Sequence, residues 1–372
     1  MSKYDYYVGL DISQKSTAIC VIDSEGKQVC RGSSSTRAED IYGWLNNRID
    51  ITRPLKVGLE AGNMSSWLYT GLHKLGLEVV CMETFQAHRF LSTYRNKTDK
   101  NDARGLAQLL RMGGEDFLRV VVIRSQAAQE TRALLVMRDN LVKQKISLEN
   151  NICGILKPFG LIVQRGNPSP DTFFERVIDA IALAEDRGVN LRHIIKPSLT
   201  LYMEACDQIK PMTKKIEEIA NSIDMVKRFM EIPGVGPITA LSFYTAIDYP
   251  ERFRKSADVA AYFGLTPKQF QSGETDYSGR ISKRGDFCTR RALVNAATVM
   301  LMHTNEWNSI KAWGVRLAKR IGFSKARIAV ARKLAVTMHK IWLNKDKFRP
   351  KKLDAKELAA LKKEINPSLA AA

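Results

Sequence analysis

The sequence lacks the pairings that most small metal and redox sites need. Its six cysteines, Cys20, Cys30, Cys81, Cys153, Cys206 and Cys288, form no C-x-x-C pair, and its five histidines are equally dispersed. Neither a zinc site nor a disulfide framework is indicated, and unpaired thiols suit a reducing compartment. No apolar run approaches the ~20 residues that span a bilayer. The opening MSKYDYYVGLDIS holds no apolar signal core, so the expectation is a cytoplasmic, nucleoid-associated protein with no membrane partner. Negative charge is also scarce. Asp and Glu total 39 against 58 Lys and Arg, a net charge of +19. A surplus of that size attracts polyanions, and nucleic acid is the default partner.

What is present changes character along the 372 residues. The first part, residues 1–125, alternates strand and helix patterns. YYVGLDIS, TAICVID and KQVCRGS read as three antiparallel strands, the last two joined by the turn SEG. A helix over 38–47, a strand KVGLEA, a helix over 65–75 and a strand EVVCME complete a mixed α/β sheet. In the second part, residues 126–228, Leu134, Leu141, Leu148 and Ile155 recur every seven residues. That spacing predicts a long amphipathic, coiled-coil-like helical arm. Further helix is expected over 172–187 and 199–228. The third part, residues 229–345, runs from IPGVGPITA through a Gly- and Ser-rich stretch into helices. A basic and then Ala-rich tail occupies 346–372. The fold class is therefore α/β plus α.

Two strands end in acids. Asp11 closes the first and Glu60 the fourth, each after an otherwise apolar run. A strand-end residue facing water is the plainer account of either alone. NKTDKNDARGLAQLL adds Asp99 and Asp102, three apart on one face at the start of a helix. Helix capping accounts for one of that pair well. Four converging carboxylates repel unless cations neutralise them. An oxygen-only donor set suits Mg2+ (or Mn2+), and two such ions about 4 Å apart are the usual clamp for phosphoryl transfer.

The third part carries a second set of candidates. IPGVGPITA looks like a helix-hairpin-helix turn, in which Gly234 and Gly236 let backbone N–H groups approach a phosphate; an ordinary helix connection reads the same way. Downstream, Ser272 lies in a loop flanked by Arg280, Lys283, Arg284, Arg290 and Arg291. Those cations could hold a DNA phosphate beside a hydroxyl nucleophile. From the residues alone, Ser278 and Ser282 are equal candidates, and most loop serines only cap turns.

In order and spacing, GLDIS, GLEA and KTDKNDA resemble the DEDD motif of a group of bacterial transposases, insertion-sequence family one-hundred-and-ten. The stretch GLTP, SG and GRISKRG resembles the C-terminal domain of the same group. The resemblance implies an RNase H-like N-terminal domain similar to the RuvC junction resolvase, with Asp11, Glu60, Asp99 and Asp102 as the four acids. It maps the serine that attacks DNA and forms a covalent link onto Ser272. It also implies DNA as donor and target, guidance by a structured non-coding RNA, and a homo-oligomer, dimer or tetramer, with the long helix as the natural contact. The rival readings are a hydrolytic Holliday-junction-type resolvase using the acids alone, and a non-catalytic nucleic-acid binder. Actin-like ATPases and sugar kinases also end their first strand in Asp, but they need further Gly-rich phosphate loops that this chain does not show.

Overall fold

The computed structural model describes residues 3–94, 98–114, 117–164 and 169–349. Asn96 and Lys97 of the acidic motif, and the expected tail from residue 350 onward, lie outside them. The chain divides into two compact units, residues 1–124 and 125–372.

The first unit is a mixed α/β layer structure. Its strands are β1 (Tyr6–Ile12), β2 (Ser16–Asp23), β3 (Gln28–Ser35), β4 (Leu55–Glu60) and β5 (Glu78–Met82). Its helices are α1 (Ala38–Asn46), α2 (Ser65–Lys74), α3 (Thr84–Leu91) and α4 (Asp99–Met112). The sheet order is β3-β2-β1-β4-β5. β1–β2 and β2–β3 are antiparallel, whereas β1–β4 and β4–β5 are parallel. The SEG turn sets the β2–β3 hairpin, and the parallel strands need the helical crossovers between them.

Strand alternation gives the sheet two buried faces. Val8 and Leu10 join Ile19, Val57, Leu59 and the apolar stripes of α1 and α2 in one core cluster. Tyr7, Cys20 and Ile22 face the opposite way, against Ala103, Leu106 and Leu110 of α4. Gly9 makes the close approach of α4 possible: a Cβ there would collide with the carbonyl of Ala103 and lie 2.5 Å from the Ala107 nitrogen. Helix α4 therefore rests directly on β1.

The second unit begins with α5 (Gln126–Leu156), α6 (Pro170–Asp186) and α7 (Arg192–Ser222). The heptad helix packs in cis. The start of α5 meets the end of α7 through Leu135, Ile216 and Ala220. The end of α5 meets the start of α7 through Ile152, Leu156, Ile195 and Tyr202, with Phe173 and Val177 of α6 closing that cluster. The two long helices are thus antiparallel partners within one chain. Helix α7 starts seven residues earlier than the 199–228 expectation and runs through Pro197 and Pro211. Burial of Ile195, Leu199 and Tyr202 about Pro197, and of Cys206 and Ile216 about Pro211, offsets the backbone bond each proline removes. The helix stops at Ile223, so 224–230 forms a separate helix, α8 (Asp224–Met230).

The rest of this unit is α9 (Pro237–Ile247), α10 (Ser256–Tyr262), a hairpin of β6 (Pro267–Ser272) and β7 (Thr275–Ile281), then α11 (Phe287–Met302), α12 (Ser309–Ile321) and α13 (Phe323–Asn344). Phe229, Phe243, Phe263, Leu293 and Leu334 anchor one helical core. Buried His339 belongs to that core as a satisfied side chain: its ring nitrogens lie 2.9 Å from the Pro250 carbonyl and 3.0 Å from the Ser256 hydroxyl. No helix among the described residues is long and apolar enough to cross a membrane.

Candidate active site

In the parallel register β1–β4, Leu10 pairs with Leu59. Asp11 and Glu60 are the next residue on each strand, at the carboxyl ends of adjacent strands. Both follow a glycine at i−2, Gly9 and Gly58, whose missing Cβ faces α4 and its side chains. Alternation therefore directs Asp11 and Glu60 to the α4 side of the sheet. Both line one pocket of about 720 Å³, together with Ser13, Gln14, Asn63 and Ser65. Sequence reading missed these polar neighbours; their only signal was their position just past the strand-end acids.

Asp99 is the first residue of α4 and is exposed, whereas Asp102 is buried, 8% exposed. Neither is the side-chain cap, although both lie in the first turn, where acids are favoured. The N-cap is Thr98, whose hydroxyl accepts from the Asn101 amide at 3.3 Å. Asp102 precedes Ala103, the residue whose backbone sits on Gly9 of β1. The start of α4 thus lies over the strand that carries Asp11. Among the described residues, however, no three His, Cys, Asp or Glu side chains group closely enough to hold one ion. The structure brings Asp11 and Glu60 together and lays the Asp102 end of α4 on the same face; it does not close the four into one ligand cage. The donor set is oxygen-only, and a buried carboxylate calls for a compensating partner, so these residues fit a hard divalent cation.

The glycines of IPGVGPITA divide. Gly234 has φ +87°, and a Cβ on it would lie 2.6 Å from the Ala296 carbonyl and 2.8 Å from the Met300 nitrogen of α11. Packing against α11 thus gives glycine at 234 a structural reason of its own. Gly236 is exposed, has open space around it and forms the N-cap of α9.

Ser272 is the last residue of β6 rather than a residue of an irregular loop. It pairs with Thr275 across the two-residue turn Gly273–Glu274, and Gly273 has φ +56°. A glycine at the first central position is what a tight hairpin of this kind demands. The hairpin escaped sequence reading because β6 is exposed along its whole length and β7 along most of it, leaving no apolar alternation. Ser278 pairs with Gln269, one register step from the Phe270–Tyr277 pair, and so lies on the opposite face from Ser272. Ser282 sits at the base of the hairpin, its amide donating to the Thr266 carbonyl.

The cations around the hairpin also divide. Arg280, Lys283 and Arg284 are exposed. Arg290 is 8% exposed, and its guanidinium donates to the Phe263 carbonyl at 3.0 Å and the Arg284 carbonyl at 2.8 Å. It clasps the base of the hairpin, which corrects its assignment to DNA phosphate. Burial lowers its pKa from the ordinary guanidinium value. Arg291 pairs with Asp139, which Lys143 also reaches at 2.8 Å, so part of its charge is already spent. The expected result for Arg290→Ala is a loss of about 2–4 kcal/mol, because two inward-facing carbonyls lose a charged donor. The measurement is thermal or urea melting; a change under about 0.5 kcal/mol, the range of surface substitutions, would remove the clasp from the account.

Two family models match the chain, in order. One, a DEDD transposase model of the IS110 group described as "Transposase", matches residues 8–160. The other, described as "Transposase IS116/IS110/IS902 family", matches residues 226–312. The chain is 28% identical over 349 residues to "Transposase for insertion sequence element IS1111A" of Coxiella burnetii, covering 92% of this chain and 91% of that protein. It is 26% identical over 348 residues to "Probable family 20 transposase" of Pseudomonas aeruginosa, covering 92% and 98%. It is 24% identical over 303 residues to "Transposase for insertion sequence element IS1328" of Yersinia enterocolitica, covering 79% and 83%. The mixed sheet with acids at its strand ends, and these matches along both units, define a DNA transposase, an enzyme of DNA recombination. The chain belongs to the IS110 family of DEDD transposases.

Proposed function

We propose that this transposase cuts and exchanges DNA strands at specific sites, with a divalent-metal site in its first unit and a serine nucleophile in its second. The observation that carries the reading is the placement of Asp11 and Glu60 on adjacent parallel strand ends, lining one pocket. Asp99 and Asp102 complete the ligand set, and Mg2+ or Mn2+ is the ion that an all-carboxylate set selects. When bound, the ion stabilises charge on the phosphate and its leaving oxygen. The first unit is read as RNase H-like, close to RuvC, in keeping with its mixed sheet. Residues 1–125, 126–228, 229–345 and 346–372 are read as the DEDD domain, the helical arm, the serine domain and the tail.

Ser272 Oγ attacks the DNA phosphorus and loses its proton. The bond from phosphorus to the deoxyribose oxygen breaks, and that oxygen takes up a proton. The serine–phosphate diester keeps the bond energy, so a second strand's hydroxyl can reverse the step without ATP. Arg280, Lys283 and Arg284, with the backbone at Gly234 and Gly236, hold the DNA backbone. A structured RNA from the element selects donor and target, and the protein works as a homo-oligomer in the cytoplasm. Exposed Val136, Met137 and Ile146 on α5 and Leu201 on α7 support self-association through the arm.

The test is to purify the full chain with its bound nucleic acid and sequence what is recovered. The expected result is one recurrent RNA from the element, and DNA binding that weakens at least tenfold from 50 to 200 mM salt through counterion release. Recovery of unrelated RNA, or an affinity indifferent to salt, counts against the RNA-guided reading and the basic interface respectively.

A further inference from the structure

The hairpin bearing Ser272 has a feature that the transposase reading does not use. Phe270 and Tyr277 are cross-strand partners with ring centroids 5.0 Å apart and planes 17° from parallel. They are 45% and 56% exposed and belong to none of the hydrophobic core clusters of the described residues. Their position relative to the serine follows from register. Phe270 precedes Ser272 by two, so both side chains leave the same face of β6, about 7 Å apart along the strand. Thr275 and Tyr277 share that face through their pairing with Ser272 and Phe270. Gly279 lies two further along on the same face, and a Cβ there would come 3.0 Å from the Phe270 ring. The glycine lets that ring lie down over the strand. Asp276, paired with Gln271, falls on the other face, so no acid of the two strands shares the aromatic face. Exposed Lys268, Arg280, Lys283 and Arg284 line the same hairpin and its base.

We infer that the Phe270–Tyr277 pair is a stacking platform for a DNA base beside the phosphate attacked by Ser272, which makes both aromatics positioning residues for strand cleavage. The inference rests on the reading of Ser272 as nucleophile. Exchanging strands requires bases next to the cut to leave their partners, which exposes their faces. An aromatic surface holds an unstacked base whatever its identity, because every base has a π-face. Phe270 and Ser272 share a face two residues apart, so a base stacked on the pair would bring a neighbouring phosphate toward Oγ. Holding reacting atoms in line is where such positioning raises rate. A cross-strand aromatic pair also steadies a hairpin, so the experiment must separate the two roles.

The probe is a duplex oligonucleotide of the recombination junction carrying 2-aminopurine, in turn, at each base flanking the cut. It is bound to the full-length Ser272→Ala protein with its copurified RNA. The expected result is quenching at one flanking position, abolished by Phe270→Leu with Tyr277→Leu and restored when Phe270→Trp replaces Phe270→Leu. With Ser272 intact, the double leucine variant should form the DNA adduct about tenfold more slowly, the size of effect that loss of base–aromatic stacking gives. Quenching that is the same with and without the aromatics overturns the platform. A slower adduct with unchanged quenching also overturns it, leaving only hairpin support. Aromatic-dependent quenching that appears with labelled RNA but not with labelled DNA overturns the assignment to a DNA base. If Ser272→Ala still forms the adduct, the serine reading fails, whereas aromatic-dependent quenching is read independently of that outcome.

Discussion

Replacing Ser272 by alanine is expected to abolish the covalent protein–DNA adduct while leaving DNA binding and the melting temperature unchanged. The side chain sits at the tip of an exposed hairpin, where it supports no core, so its removal should cost little stability. Loss of a true nucleophile costs on the order of 10³-fold or more in rate, since the remaining groups bind and polarise but cannot form the bond. Ser278→Ala and Ser282→Ala are the controls. Ser278 lies on the opposite face of the hairpin and Ser282 at its base, so both should retain adduct formation within a fewfold of the wild type. The measurement is a denaturing gel of radiolabelled DNA after incubation with Mg2+, followed by peptide mapping. An adduct surviving in Ser272→Ala, or mapped to another serine, overturns the assignment. Cleavage without any adduct would favour the hydrolytic resolvase chemistry, which uses the acids alone.

The sheet was legible because its strands carry strong, local signals. The short apolar runs of β1 and β2, the SEG turn and the acid-terminated KVGLEA run each identify a strand without reference to distant residues. The heptad spacing of Leu134, Leu141 and Leu148 likewise forecast one long helix, found as Gln126–Leu156. What the spacing could not convey is the helix's partner. A half-buried stripe looks the same whether a second subunit or α7 covers it, and here α7 covers it. The hairpin β6–β7 was hidden for the opposite reason, since polar strands with no buried face have no pattern to read. Arg290 was misassigned because residue type alone does not reveal direction. An arginine in a basic run points outward by default, yet Arg290 turns in to two carbonyls. The packing of Gly234 on α11 was likewise hidden, because a glycine's type does not show which element lies against it. The four acids were legible as types and positions. The assignment of the side-chain cap to Thr98, with both acids following it in the first turn, needed the structure.

Asp102→Asn is expected to abolish metal-dependent cleavage and, at the same time, to stabilise the metal-free protein. The two effects have one cause. Asp102 is 8% exposed in the first turns of α4, and among the described residues no Lys or Arg forms a salt bridge with it. A carboxylate held out of water without a cation opposes folding, and the neutral amide of similar size removes that charge. A gain of about 1 kcal/mol would raise the melting temperature by about 2–4 °C for a unit of this size. Sites shaped for a ligand commonly carry such a cost, so activity and stability move in opposite directions on substitution. Divalent metal reverses the comparison. Mg2+ at ten times its dissociation constant should stabilise the wild type by about 1.4 kcal/mol, because it binds the folded form alone. The Asp102→Asn protein should show no such rise. Asp11→Asn and Glu60→Gln should also lose the Mg2+-dependent rise, since both acids line the same pocket. Neither should gain as much metal-free stability, because both are only half-buried. The measurements are melting curves with and without Mg2+ and cleavage of junction DNA, each on all three variants. An Asp102→Asn protein that keeps its Mg2+ shift and its cleavage would remove Asp102 from the metal site. Loss of the shift in Asp102→Asn but not in Asp11→Asn or Glu60→Gln would break the shared site on the sheet face.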